Sequence, residues 1–160
     1  TAPSKTFNIA GLQVSNIFIP NAKLRRAFQH EVAAAGYSQL NTLGLVACEA
    51  AYRYGEDWLA QVKDYIEANI HFLSTYLAES LPQLKLLAPQ GTYLAWLDCS
   101  ALGLTAEERE QWLLHKAHLW LDGGGIFGPE GQSFERINVA CPRSTLLQGL
   151  EQLKRAVDNL

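Results

Sequence analysis

The sequence predicts an α/β chain whose larger part is a small α+β domain, a short mixed sheet with helices packed on it. Three observations carry this. Between Glu56 and Ser80 the residues Trp58, Val62, Tyr65, Ile66, Ile70, Leu73 and Leu77 recur at helical spacing, which predicts one long amphipathic helix. After Pro82 the period shortens to strand-like alternation. From there short strand-like runs exchange with helical ones, punctuated by Gly and Pro, as in a sheet covered by helices.

The elements follow in order. Leu12–Ile19, LQVSNIFI, is apolar with rough alternation and stops at Pro20, which predicts a strand or extended segment. Asn21 is placed to cap a helix that Gly36 closes. A second helix follows from Thr42, with Gly55 as its stop, and the long helix ends before Pro82. LKLLAPQGTYLAWLDCS reads as two strands joined by a Pro-Gln-Gly turn. Thr105 with Glu108 three residues on is the capping-box pattern and opens a helix running to about His118. LWLDGG predicts a short strand leading into the loop GGGIFGPEGQS, and FERINVA a final strand. Ser144 opens the last helix. The first fifty residues have one extended segment and two helices but no sheet of their own.

Composition narrows the function. With 48% hydrophobic and 18% charged residues among 160, the chain is suited to a folded core. A net charge of −3 supplies no basic face, so nucleic acid is not an expected partner. No apolar run reaches bilayer length, so no membrane partner is expected either. Cys48, Cys99 and Cys141 form no CxxC pair or zinc spacing, and an odd, scattered set suits a reducing compartment, the cytoplasm. His30, His71, His115 and His118 form no HExxH, so no metal is expected. The chain holds no methionine and opens directly on TAPSKTFNIAGLQ. The expectation is that it continues a longer polypeptide.

Two residues carry candidate chemistry. Lys5, between Ser4 and Thr6, is either a solvated loop lysine or an amine that condenses with a carbonyl, with small hydroxyl neighbours suited to a phosphate. Arg136 lies in a strand with apolar neighbours. Alternation puts Phe134, Arg136 and Asn138 on one face and Glu135, Ile137 and Val139 on the other. Arg136 serves either an internal salt bridge or a substrate carboxylate, which its guanidinium fork fits. GGGIFGPEG matches neither a dinucleotide nor a P-loop fingerprint and reads as turn chemistry or a loop gating a site. Arg143 reads as a surface or packing residue.

APSKTFNIAGLQ resembles the pyridoxal-phosphate (PLP) lysine loop of fold-type I enzymes, the class I/II aminotransferases, and is especially similar to their cystathionine β-lyase-type C–S lyase branch. PQGTYLAWLDCS resembles that branch's small-domain hairpin, and GIFGPEGQSFERINVACPRSTL its carboxylate-binding strand and following helix. The resemblance implies that residues 1–55 are the end of the large PLP-binding domain and 56–160 the small C-terminal domain. It implies that Lys5 links covalently to PLP and moves the substrate α-proton, and that Ser4 helps bind the cofactor phosphate. Arg136 then binds the α-carboxylate, Asn138 supports that strand and the carboxylate, and Tyr93, with Phe127, lies near the substrate entrance as a further substrate-binding residue. The implied parent is a homodimer acting on amino acids, as C–S β-lyase or as aminotransferase, with the 160 residues alone inactive. A cofactor-free α/β interaction domain is the rival from another class.

Overall fold

Asn21 and Asn41 each turn the chain into a helix. In the computed structural model, which describes residues 1–160 apart from Ser38 and Ala88, the Asn21 side chain accepts from the Lys23 and Leu24 amides and opens α1 (Ala22–Ala34). Asn41 accepts from the Leu43 amide and opens α2 (Thr42–Tyr54). In each case one side chain satisfies amides that the first helical turn leaves unpaired. The long helix is α3 (Glu56–Ser80). The chain divides into two compact units, Thr1–Val62 and Lys63–Leu160, and the division falls inside α3.

The first unit holds α1, α2 and the start of α3 and, among the described residues, no strand. Of the two readings of Leu12–Ile19, strand or extended segment, the strand does not form. Leu12 closes a 3₁₀ turn (Ala10–Leu12), and residues 13–20 have no regular secondary structure. Alternation alone cannot make a strand when no neighbouring strand accepts its backbone groups. Asn16 instead exchanges two backbone hydrogen bonds with Thr1, at 2.7 and 2.8 Å. Ile17 and Phe18 are left exposed. α1 buries none of its residues, and α2 buries only Gly44 and Cys48.

The second unit is built on a four-stranded sheet of order β1-β2-β4-β3, with β1 Lys85–Leu87, β2 Leu94–Asp98, β3 Asp122–Gly123 and β4 Phe134–Asn138. Every pairing is antiparallel, where a mixed sheet was expected. β2 and β3 do run in the same direction, but β4 inserts between them, so no parallel pair forms. β1 and β2 are the expected hairpin, with Ala88 of the turn stretch outside the described residues. Of LWLDGG only Asp122 and Gly123 pair.

α4 (Ala106–Trp112) opens with the predicted capping box, Thr105 and Glu108 each accepting from the other's amide. The bond from the Thr105 amide, with a second from the Thr105 hydroxyl at 2.8 Å, holds the Glu108 carboxyl below the usual carboxylate range. The expected continuous helix to His118 instead passes through a π-helical turn, Leu113–Ala117, closed by His118 at φ +52°. The wider turn carries Leu113 and Ala117 into the core. The last helix, α5 (Arg143–Val157), starts one residue before Ser144. It sends Leu146, Leu150 and Leu153 into one core cluster with Leu73 and Leu77 of α3 and Ala95 and Leu97 of β2.

Among the described residues, three polar ones are buried with this core. Arg109 of α4 is 1% exposed and Glu135 of β4 is 3% exposed. Arg109 Nε donates to Glu135 Oε1 at 2.7 Å, and Nη2 donates to the Gln132 carbonyl at 2.7 Å. Asn69 of α3 is fully buried; its amide donates to the carbonyls of Val139 (2.8 Å) and Cys141 (2.9 Å). Its oxygen accepts from Arg143 Nε at 2.7 Å. Both arrangements satisfy groups that would otherwise be costly to bury.

Removing one partner of a buried ion pair strands the other. Arg109→Ala should therefore cost about 3–5 kcal/mol of stability, read as a drop in the urea midpoint. The paired replacement of Arg109 by Met and Glu135 by Leu should recover most of that loss. Burial also pushes the Cys99 thiol up to about 12. Cys99 should resist iodoacetamide near neutral pH in the folded protein and react once denaturant is added, as mass spectrometry would read.

Candidate active site

The Lys5 loop is a series of tight turns. The Phe7 amide donates to the Pro3 carbonyl at 2.9 Å, and the Ile9 amide to the Ser4 carbonyl at 3.1 Å. Asn8 sits at φ +54°, a left-handed conformation that Asn tolerates. Pro3 is buried and Ser4 half-buried, while Lys5 is exposed.

Phe7 braces this turn. Its ring meets Tyr52 edge-on at 5.5 Å and stacks with Trp58 at 6.2 Å. Gly55 makes room for it, since a Cβ there would come within 2.8 Å of the Phe7 ring. Further along, Asn41 Nδ2 donates to the Leu12 carbonyl at 3.1 Å and ties the loop's exit to the start of α2. The turn that carries Lys5 is thus held at both ends. Among the described residues the Lys5 ammonium has neither an ion pair nor a hydrogen bond. An uncommitted amine on a braced turn fits a lysine that condenses with an aldehyde.

Arg136 lies at the middle of β4, in register with Trp96 on one side and Asp122 on the other. Its Nε donates to Asp122 Oδ2 at 3.1 Å, and its Nη2 donates to the same oxygen. The Phe127 ring covers the guanidinium at 4.5 Å. Trp96 in turn meets Phe127 edge-on at 5.3 Å and Phe134 at 6.2 Å. The glycine-rich loop makes this packing possible. A Cβ on Gly124 would come within 2.9 Å of the Trp96 ring and 2.2 Å of the Gly131 carbonyl oxygen.

The other expected site residues are more dispersed. Asn138 is exposed and uses its side-chain oxygen to accept from the Ala140 amide at 2.8 Å, so it shapes the exit of β4. Tyr93 is half-buried against the core cluster, in alternation with Ala95 and Leu97, whereas Trp96 stands beside Arg136. The residues the sequence did not single out are Trp96, Asp122 and Asn69. Alternation from Arg136 could have found Trp96 only with the strand register in hand. Arg143 is a packing residue, as expected, with its guanidinium 4.4 Å over the Phe72 ring. Lys5 and Ser4 belong to the first unit, and Arg136, Asn138 and Tyr93 to the second. Among the described residues no His, Cys, Asp or Glu cluster could hold a metal, and no helix is long and apolar enough to cross a membrane.

No protein-family model matches the chain. It is 42% identical over 156 residues to cystathionine β-lyase PatB of Bacillus subtilis, covering 98% of this chain and 40% of that protein. Cystalysin of Treponema denticola, solved with its pyridoxal 5′-phosphate cofactor, superposes with a TM-score of 0.95 at 39% identity, over 99% of this chain and 40% of that one. The PLP-bound C–S lyase of Staphylococcus hominis gives 0.86 at 32% identity, over 98% of this chain and 40% of that one. The PLP-bound putative aminotransferase of Clostridium difficile 630 gives a TM-score of 0.94 at 44% identity, over 98% of this chain and 40% of that one, and the aspartate aminotransferase of Pyrococcus horikoshii is 23% identical over 158 residues, covering 97% of this chain and 39% of that protein. The chain belongs to the fold-type I PLP-dependent enzymes. Curated relatives at 42% and 35% identity are cystathionine β-lyases. It spans about 40% of the length of the curated relatives it matches.

The bracing of the Lys5 turn is testable. Phe7→Ala should cost about 1–3 kcal/mol through lost aromatic packing. Hydrogen exchange at the Phe7 and Ile9 amides should accelerate selectively.

Proposed function

We propose that the chain is the C-terminal part of a PLP-dependent C–S β-lyase acting on S-substituted cysteines such as cystathionine. In this reading residues 1–55 end the cofactor domain and 56–160 form the small domain. The observation that carries it is the uncommitted Lys5 amine on a braced turn, in a chain that C–S lyases match along nearly its whole length.

Lys5 Nζ would hold PLP and would take the proton from the substrate α-carbon. Ser4 contributes its hydroxyl to the cofactor phosphate. Arg136 binds the α-carboxylate through its guanidinium and fixes the amino acid's orientation. Asn138 keeps the exit of β4 in place through its bond to Ala140. Tyr93, packed against the core, supports the strand that carries Trp96. PLP supplies an electron sink for the carbanion at the α-carbon. The overall reaction in this reading would take an S-substituted cysteine and water to a thiol, pyruvate and ammonia.

The 160 residues alone are inactive in this reading, because two anchors do not make a pocket that orients and desolvates the cofactor. The parent is a cytoplasmic homodimer, a reading supported by three free cysteines and by the exposed Ile17, Phe18, Leu40 and Leu43 of the first unit. Sedimentation of the parent at micromolar concentration tests the dimer.

The deciding experiment uses the full-length parent with PLP. A visible cofactor absorbance band that disappears in Lys5→Ala, with pyruvate released from cystathionine only by the unaltered enzyme, is the expected result. A Lys5-dependent band with amino transfer to a keto acid and no pyruvate would make the protein an aminotransferase. No Lys5-dependent band would overturn both readings.

A further inference from the structure

We propose that Asp122 is a positioning residue for substrate recognition. By taking one edge of the Arg136 guanidinium it presents the other edge, Nη1 with Nη2, to the carboxylate of an amino-acid substrate. The proposal rests on Arg136 being the carboxylate ligand.

A planar guanidinium offers two edges that can grip a carboxylate, Nε with Nη2 and Nη1 with Nη2. The first is already engaged. Both Nε and Nη2 of Arg136 donate to the single oxygen Oδ2 of Asp122. Phe127 closes one face of the same group at 4.5 Å. Among the described residues nothing hydrogen-bonds Nη1. The guanidinium is therefore fixed in plane and in rotation, with one edge left for a ligand.

The fold dedicates a separate element to this. β3 is only the pair Asp122–Gly123, and its register places Asp122 directly opposite Arg136. The loop that follows returns Phe127 over the same side chain. Stability does not account for the pair: the Asp122 side chain is 50% exposed and that of Arg136 24%, and exposed ion pairs contribute little. Asp122 also places a negative charge beside the expected carboxylate, which by itself weakens substrate attraction. Orientation and charge therefore predict opposite effects on removing Asp122, and experiment can separate them.

The test uses the full-length parent with PLP, with cystathionine as substrate and glycine as a carboxylate probe that carries no leaving group. Asp122→Ala should raise both the KM for cystathionine and the Kd for glycine about tenfold, as expected for loss of a charge-assisted hydrogen bond that orients the ligand's partner. The loss should fall in KM rather than kcat. Asp122→Asn, which keeps an acceptor for Nε and Nη2, should restore both constants to within about threefold of the unaltered enzyme. In an Arg136→Lys background, Asp122→Ala should have no further effect on glycine binding. If Asp122→Ala leaves KM and Kd unchanged or lowers them while Arg136→Lys raises both, the positioning role is overturned and Arg136 remains the carboxylate ligand. If Arg136→Lys itself changes neither, the reading of Arg136 fails and this proposal falls with it. An Asp122→Ala effect that persists undiminished in the Arg136→Lys background would also overturn the proposal, because Asp122 would not then act through Arg136.

Discussion

The buried pair of Arg109 and Glu135 decides which way the central strand of the second unit faces. Side chains alternate along β4, so placing Glu135 inward puts Arg136 on the opposite face. A slip of one residue would bring Arg136 toward Arg109, two cations in a site that has room for one ion pair. Such a pair adds little net stability over apolar residues of the same size, because desolvation offsets most of its attraction. Its consequence is register. It also draws the Gln132 carbonyl onto Arg109, which anchors the end of the glycine-rich loop.

Asn69 does the same for the other end of β4. Three hydrogen bonds from one fully buried amide fasten the strand's exit and the first residue of α5 to α3. The Arg143 amide adds a bond to the Tyr65 hydroxyl at 2.8 Å. β4 is thus held before Phe134 and after Asn138 by buried polar groups, and the residues between have little freedom to move. The role proposed for Arg136 needs that rigidity, since misplacing the guanidinium by an ångström would forfeit much of its orienting effect.

The first unit solves a different problem with fewer buried residues. Its helices are capped locally, but α1 buries nothing and much of its apolar surface faces outward. What order the Lys5 turn has comes from Phe7 between Tyr52 and Trp58 and from Asn41 on the Leu12 carbonyl. The two halves of the proposed chemistry are therefore held by independent networks, an aromatic brace for the amine and a buried polar frame for the guanidinium.

The sequence by itself determined whatever depends on neighbours a few residues away. The caps at Asn21 and Thr105, the full extent of Glu56–Ser80 and the β1–β2 hairpin were all legible, because a cap, a helical period and a turn are written within one or two turns of chain. So was the candidate lysine, which a short motif carries. Tertiary structure alone decided the rest. Leu12–Ile19 alternates like a strand but meets no partner edge, and the helix expected to reach His118 widens into a π turn because Leu113 and Ala117 are needed in the core. Glu135 faces inward because of an arginine 26 residues earlier. Trp96 and Asp122 flank Arg136 because antiparallel register sets those three residues side by side. Register and buried pairing join residues distant in the chain, and local pattern holds no record of which distant residue will be opposite.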